Sequence, residues 1–198
     1  MILKRIFEFN ENGFYVDVGS HHPKRFSNTY NFYKKGWKGI NVDASPDSIE
    51  TFNKMRSRDI NIEAAVSDKP RELIFYRFSE PAINTFNPEL AKEHIEAGEE
   101  LINEIKIKTI TLKELLWKYL PTFQEIDFMS IDVEGHDFEV LKSNNWKKYR
   151  PKFLLVEFLH LSGFEQLTSN EIYKFLIEND YSLLAKTLNT YFFRDNRK

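Results

Sequence analysis

The stretch FMSIDVEGHDFEVL, residues 128–141, passes from an apolar run into Asp132, Glu134, His136 and Asp137 around Gly135, then returns to apolar residues at helical spacing. Carboxylates grouped where a buried strand ends can take a proton from a hydroxyl, accept hydrogen bonds from a ligand, or hold a hard cation through oxygen. Glu157, near the end of the apolar run KFLLVEF (152–158), offers a further oxygen on a neighbouring strand. Asp132 and Glu134 are therefore the candidate catalytic carboxylates, and Asp132 with Glu157 the candidate ligands for Mg2+ or a similar ion. The plainer role for Asp132 is to start the turn and help cap the next helix, and for Glu134 to be a turn carboxylate. Gly135 gives the backbone freedom at the turn, and Asp137 is expected as the helix N-cap.

Histidine is the usual base near neutral pH. Of the five histidines, His22, His136 and His160 follow core strands, whereas His94 falls in a less regular segment. His22 and His160 are the favoured candidates for a base or a substrate contact, against the ordinary alternative of surface hydrogen bonding. The stretch Asn84-Thr85-Phe86 either meets an acceptor from above or forms a simple turn before Pro88.

These residues need a scaffold, and the chain supplies alternating strand and helix signals. FYVDVG (14–19) and KGINVDASP (38–46) are short apolar runs closed by turn residues, as buried parallel strands are. Between them a helix is expected from Phe26 to Gly36, with Phe26, Tyr30 and Tyr33 at helical spacing and Gly36 as its stop. A helix from Pro46 to about Ser57, with Ile49, Phe52 and Met55 inward, leads to a strand over 60–68, and ELIFYRF (72–78) reads as another strand. Residues 79–104 look like a lid or insertion carrying a helix near 88–97. EIKIKTITL (104–112) alternates like a strand, and Thr111 is placed to cap LKELLWKYL. Core strands follow at 126–132 and 152–158, separated by a helix over 137–142. A helix from Ser169 to Asn179 and a hairpin, YSLLAKT with TYFFRD, complete the pattern. The fold class is α/β, a single-domain, Rossmann-like doubly wound sheet, mostly parallel with an antiparallel C-terminal hairpin. The whole of 1–198 forms one domain, with 1–13 as an N-terminal extension.

Composition narrows the function. The chain of 198 residues is 41% apolar and carries a formal net charge of -2, so it has material for a core and lacks the basic excess of a nucleic-acid binder. Cysteine is absent, which excludes disulfides, thiolate metal sites and a cysteine nucleophile. No stretch reads as a signal peptide or membrane span, so a cytoplasmic protein is expected.

In a sheet of this kind ligands bind beyond the carboxyl ends of the strands. Those ends carry Asp17, Asp43, Asp68, Asp132 and Glu157. Converging carboxylates disfavour a phosphate-rich ligand and favour a positive centre, hydroxyls or a metal. The first turn reads Gly19-Ser-His-His-Pro-Lys-Arg, without the further glycines of a dinucleotide loop, and no Walker motif is present.

FYVDVGS, GINVDASP, NIEAAVSD, KIKTITLKELL and EIDFMSIDVEGHDFEVL followed by PKFLLVE together resemble the FkbM family of S-adenosylmethionine-dependent methyltransferases, from about Phe14 to Glu157. The Ile-Asp-Val-Glu-Gly block and Lys108-Thr-Ile-Thr-Leu112 are its most specific parts. The resemblance implies a class I methyltransferase sheet with a reversed last strand, S-adenosylmethionine as cofactor, and O-methylation of a carbohydrate, glycoconjugate or small natural product. It implies that Asp17, Gly19 and Ser20 lie beside the methionine part of the cofactor, that Asp43 takes the ribose hydroxyls, and that Ser67 and Asp68 lie near the adenine. His21, His22 and Pro23 stand where many members of this fold have further glycines. That loop either takes a stiffer course that still admits the cofactor or impairs its binding. Methyl transfer to a sugar hydroxyl needs the reactants aligned and the oxygen activated by a base or a cation, for which Asp132, Glu134 and Glu157 are the candidates. A non-catalytic glycan- or partner-binding module on the same sheet is the alternative of a different class, and a nucleotide-sugar or NAD(P)-dependent enzyme is a third.

Overall fold

The computed structural model describes residues 2–46, 48–159, 161 and 164–197. In order, its elements are α1 (Ile2–Ile6), β1 (Phe14–Val18), α2 (Tyr30–Lys34), β2 (Lys38–Asp43), α3 (Ser48–Met55), β3 (Ile60–Glu63), β4 (Ala65–Val66) and β5 (Glu72–Phe78). A 3-10 turn (Pro81–Ile83), α4 (Pro88–Glu96), β6 (Leu101–Ile110), α5 (Leu112–Tyr119), β7 (Phe128–Ile131) and α6 (Asp137–Lys142) come next. The chain continues through β8 (Phe153–Glu157), α7 (Phe164–Leu167), α8 (Glu171–Glu178), β9 (Tyr181–Lys186) and β10 (Thr190–Asp195).

Seven strands form one sheet in the order β3-β2-β1-β7-β8-β10-β9. β1 pairs in parallel with β2 on one side and β7 on the other, Val16 lying opposite Ile40 and Met129. β10 runs antiparallel between β8 and β9, the expected reversed ending. The order turns back between β1 and β7, so a crevice opens beyond their carboxyl ends.

The sequence of β1 explains its central place. All five of its residues are buried, and their alternation sends them to two different cores. Phe14, Val16 and Val18 join Ile40, Met129 and Leu154 on one face. Tyr15 joins Phe32, Trp37, Phe128 and Leu155 on the other. Leu3 and Phe7 complete that second core, with the Phe7 ring edge-on to Trp37 at 5.1 Å.

Three local expectations change. The run 60–68 is two strands: β3 pairs with β2 in the large sheet, and β4 pairs with β6 in a separate sheet of order β4-β6-β5. The chain crosses between them at Ala64, whose N–H donates to the Asp43 carbonyl. β6 starts at Leu101, not 104, because its first residues pair with β5. The helix expected from Phe26 covers only Tyr30–Lys34. The Ser27 hydroxyl accepts the N–H groups of Thr29 and Tyr30, which holds the preceding residues in a turn. Phe26, at φ +57°, is 77% exposed, and Phe32 takes the buried position. Thr111 does form a capping box with Glu114. Among the described residues no helix is long and apolar enough to cross a membrane.

Candidate functional site

A cavity of about 270 Å3 sits at the carboxyl ends of β1, β2 and β7, lined by Asp17, Gly19, Ser20, Asp43, Asp132 and Glu134 among others. That is just under the roughly 300–1,000 Å3 usual for small-molecule pockets. Ala44 and Ala64 also line an adjoining groove, so the cavity is not closed at the end of β2.

The loop after β1 is tied to β2, since the Gly19 and Ser20 N–H groups both donate to the Val42 carbonyl. Gly19 has φ +81°, and a Cβ there would stand 1.7 Å from the Asp132 carbonyl oxygen. Only glycine permits that approach. The Ser20 hydroxyl is buried without a protein partner. Asp43 receives the His21 N–H on Oδ2 and the Ser45 N–H on Oδ1. Each oxygen keeps acceptor capacity for a ligand hydroxyl. Asp17 is buried, accepts from the Thr29 hydroxyl at 2.8 Å, and has its carboxyl pushed up to about 6, mainly by burial.

Asp132 and Glu134, which line the cavity, and Glu157, which does not, bring carboxylate oxygens within 4.8 Å of one another. β7 and β8, parallel neighbours with Ile131 opposite Val156, place Asp132 one residue past the one pairing and Glu157 one past the other. Such crowding, together with burial, keeps protons on carboxyls that would otherwise be ionised at neutral pH. Burial is the leading cause for each: Asp132 rises to about 6, Glu134 to about 7 with the Asp132 charge adding to it, and Glu157 to about 8. Asp132 and Glu157 lie close enough to raise each other's cost of ionisation, and the Asp132 charge adds to burial in raising Glu157. Glu134 holds φ +50°, an unusual backbone for a glutamate, with its carbonyl accepting from the Thr85 hydroxyl at 2.6 Å.

Asp137 is not the cap expected of it. His136 occupies the N-cap position, without a side-chain cap bond. Asp137 lies inside the first turn and is buried, with its Oδ1 unpartnered. Burial first, and then the charges of Asp132 and Glu157, push its carboxyl well above the ordinary range. The helix turns that side chain inward toward the acidic cluster, where local capping gives way to tertiary contact.

Ser67 and Asp68 do not line the cavity; Val66 does. Ser67 donates to Asp68, which pairs with Arg71 at 2.8 Å. Having one proton, Ser67 must then accept from His136 Nε2 at 2.9 Å, so His136 is engaged away from the cavity. His22 does not line it either, and its Nδ1 accepts the N–H groups of Lys24 and Arg25. His160 lies outside the described residues. Among the described residues the histidine that lines the cavity is His21, one position before His22. Its ring packs on Phe26, and its Nε2 is buried without a partner. Burial holds its pKa low. In the segment after β5, Asn84 and Phe86 line the cavity, while Thr85 makes backbone pairs with Tyr76 as a turn would. The segment thus forms the turn, with two of its residues in the cavity lining. Ser130 and Asn28, which line the cavity and bond to each other at 3.1 Å, carried no sequence signal.

Residues 17–183 match the family described as the methyltransferase FkbM domain. No curated protein matches the chain.

Proposed function

The chain belongs to the FkbM methyltransferase family, and from that premise we propose that it carries a methyl group from S-adenosylmethionine to a hydroxyl of a carbohydrate or small-molecule acceptor. One observation carries the reading: a single cavity joins acidic residues suited to a cationic donor, Asp17 and Asp43, to carboxyls titrating near neutrality, Asp132 and Glu134. The family is one of methyltransferases; the donor, the oxygen acceptor and the acceptor class are our inference.

The residues present fit the donor. Asp17 offers negative charge for an ammonium or sulfonium, Asp43 has acceptor capacity for a diol, and the unpartnered Ser20 hydroxyl awaits a polar ligand atom. S-adenosylmethionine, when bound, supplies an electrophilic methyl group. Glu134 is assigned as the base: a carboxyl near 7 takes a proton from a hydroxyl best when its own affinity matches the working pH. Asp132, ionising below it, holds the acceptor hydroxyl. Residues 79–104 are assigned as the roof of the site, supported by Asn84 and Phe86 in its lining.

The test is thermal. S-adenosylhomocysteine at millimolar concentration should raise the melting temperature of the wild type and not of Asp43→Ala. An unchanged wild-type melting curve would reject the assignment in favour of a non-catalytic module.

A second reading of the acidic side is favoured by the mutual approach of Asp132, Glu134 and Glu157, and by the unpartnered Glu157 Oε2. Three oxygens at that spacing suit a hard divalent cation, which would activate the acceptor oxygen in place of a base. Chelation that abolishes turnover, with recovery on adding Mg2+, would select it; turnover indifferent to chelator would select Glu134.

A further inference from the structure

We propose that Thr29, gripped by the buried Arg56, is a positioning residue that aims Asp17 at the amino group of the cofactor's methionine moiety; the inference rests on the donor assignment above.

Arg56 follows α3, and its side chain is fully buried. Its Nε donates to Asp59 at 3.1 Å, and its Nη2 donates to the Tyr15 hydroxyl and the Thr29 hydroxyl, each at 2.8 Å. A guanidinium only donates. Thr29 must therefore accept from Arg56, and its single proton goes to Asp17 Oδ2 at 2.8 Å. Tyr15, accepting from the same nitrogen, passes its proton to Asp59 at 2.6 Å. Every bond in the chain has a fixed direction, and Asp17 is left as its terminal acceptor. One oxygen of that carboxylate is thus held by a donor outside the cavity lining.

The placement of Thr29 argues that this is more than packing. It stands at the N-cap of α2, where a threonine hydroxyl ordinarily accepts from the helix backbone. Here the side chain makes no cap bond; Ser27 accepts the Tyr30 N–H instead. The hydroxyl is diverted from the helix to Asp17, an exchange with no benefit to α2.

Calorimetric titration of the purified chain with two probes tests the proposal. S-adenosylhomocysteine carries the amino-acid portion, and 5′-methylthioadenosine lacks it. Thr29→Val keeps the side-chain shape and removes the hydroxyl. It should weaken S-adenosylhomocysteine binding about tenfold, the scale of one charge-assisted hydrogen bond, and leave methylthioadenosine within about twofold. Thr29→Ser, which restores the hydroxyl, should recover the affinity. Unchanged S-adenosylhomocysteine binding in Thr29→Val, equal weakening of both probes, or no recovery in Thr29→Ser would each overturn the proposal. A wild type that binds neither probe would overturn the donor assignment and this inference with it.

Discussion

At the scale of single residues, Gly19 is the tightest point of the site. Any side chain there meets the Asp132 carbonyl oxygen and must also adopt φ +81°. Gly19→Ala is expected to lower stability by about 2 kcal/mol or more, measured by urea unfolding, and to remove the melting shift with S-adenosylhomocysteine. The carboxyls make a prediction of pH dependence. Unfolded glutamates titrate near 4.3, whereas Glu134 and Glu157 titrate at about 7 and about 8 in the fold. The folded chain therefore holds protons that the unfolded chain has released. The resulting stability is fully present below about pH 4 and is lost as the pH rises through 7 to 8. Buried histidines held low act in the opposite sense, with a window that closes near their ordinary 6.5. The urea midpoint should fall between pH 6.5 and 8.5, and Glu157→Gln should flatten the fall. With Glu134 as base, kcat/KM should climb as the pH passes about 7, and Glu134→Gln should cost roughly 100-fold or more. That Asp17, Asp43 and Asp132 line one cavity was legible because strand ends in such sheets converge, and Gly19 and Glu134 followed from the loops beyond them. His21 was not, because which of two adjacent loop histidines faces inward depends on a backbone angle, φ +51°, that spacing does not encode.

Among the elements, α5 shows how far local chemistry reaches. The Thr111 hydroxyl accepts the Glu114 N–H, and the Glu114 carboxylate accepts the Thr111 N–H, while Leu112, Leu115 and Leu116 are buried beneath. Thr111→Ala should cost about 1 kcal/mol by chemical unfolding and leave cofactor binding unaltered, since the helix lies away from the cavity lining. That helix could be read directly from its residues. α2 could not, because Ser27 accepts the Thr29 and Tyr30 N–H groups in a turn while the Thr29 hydroxyl goes to Asp17 and Arg56, contacts that spacing within the segment does not show. The division of 60–68 between two sheets was hidden for a related reason. Both halves are β-rich, and only the pairing partners, β2 and β6, separate them.

For the molecule as a whole, the last strand closes the fold through a buried ion pair. Arg150 donates Nε and Nη2 to the two Asp195 oxygens, with side-chain exposures of 7% and 0%. Asp195→Asn leaves the guanidinium short of its counter-charge and should destabilise by about 3 kcal/mol in equilibrium unfolding. Alternation of strands and helices was enough to foresee a mostly parallel sheet with a reversed end, since each buried run had to be covered on both faces. It did not reveal that the sheet is accompanied by a second, smaller one. The crossing at Ala64 has a practical result. Asp17, Asp43 and Asp132 stand on the large sheet, but Val66 and Phe75 belong to the small one. Trimming Phe75 is therefore expected to widen the cleft from its flank while Asp17, Asp43 and Asp132 keep their mutual spacing, whereas Glu134, tied to β5 through Thr85 and Tyr76, feels the change.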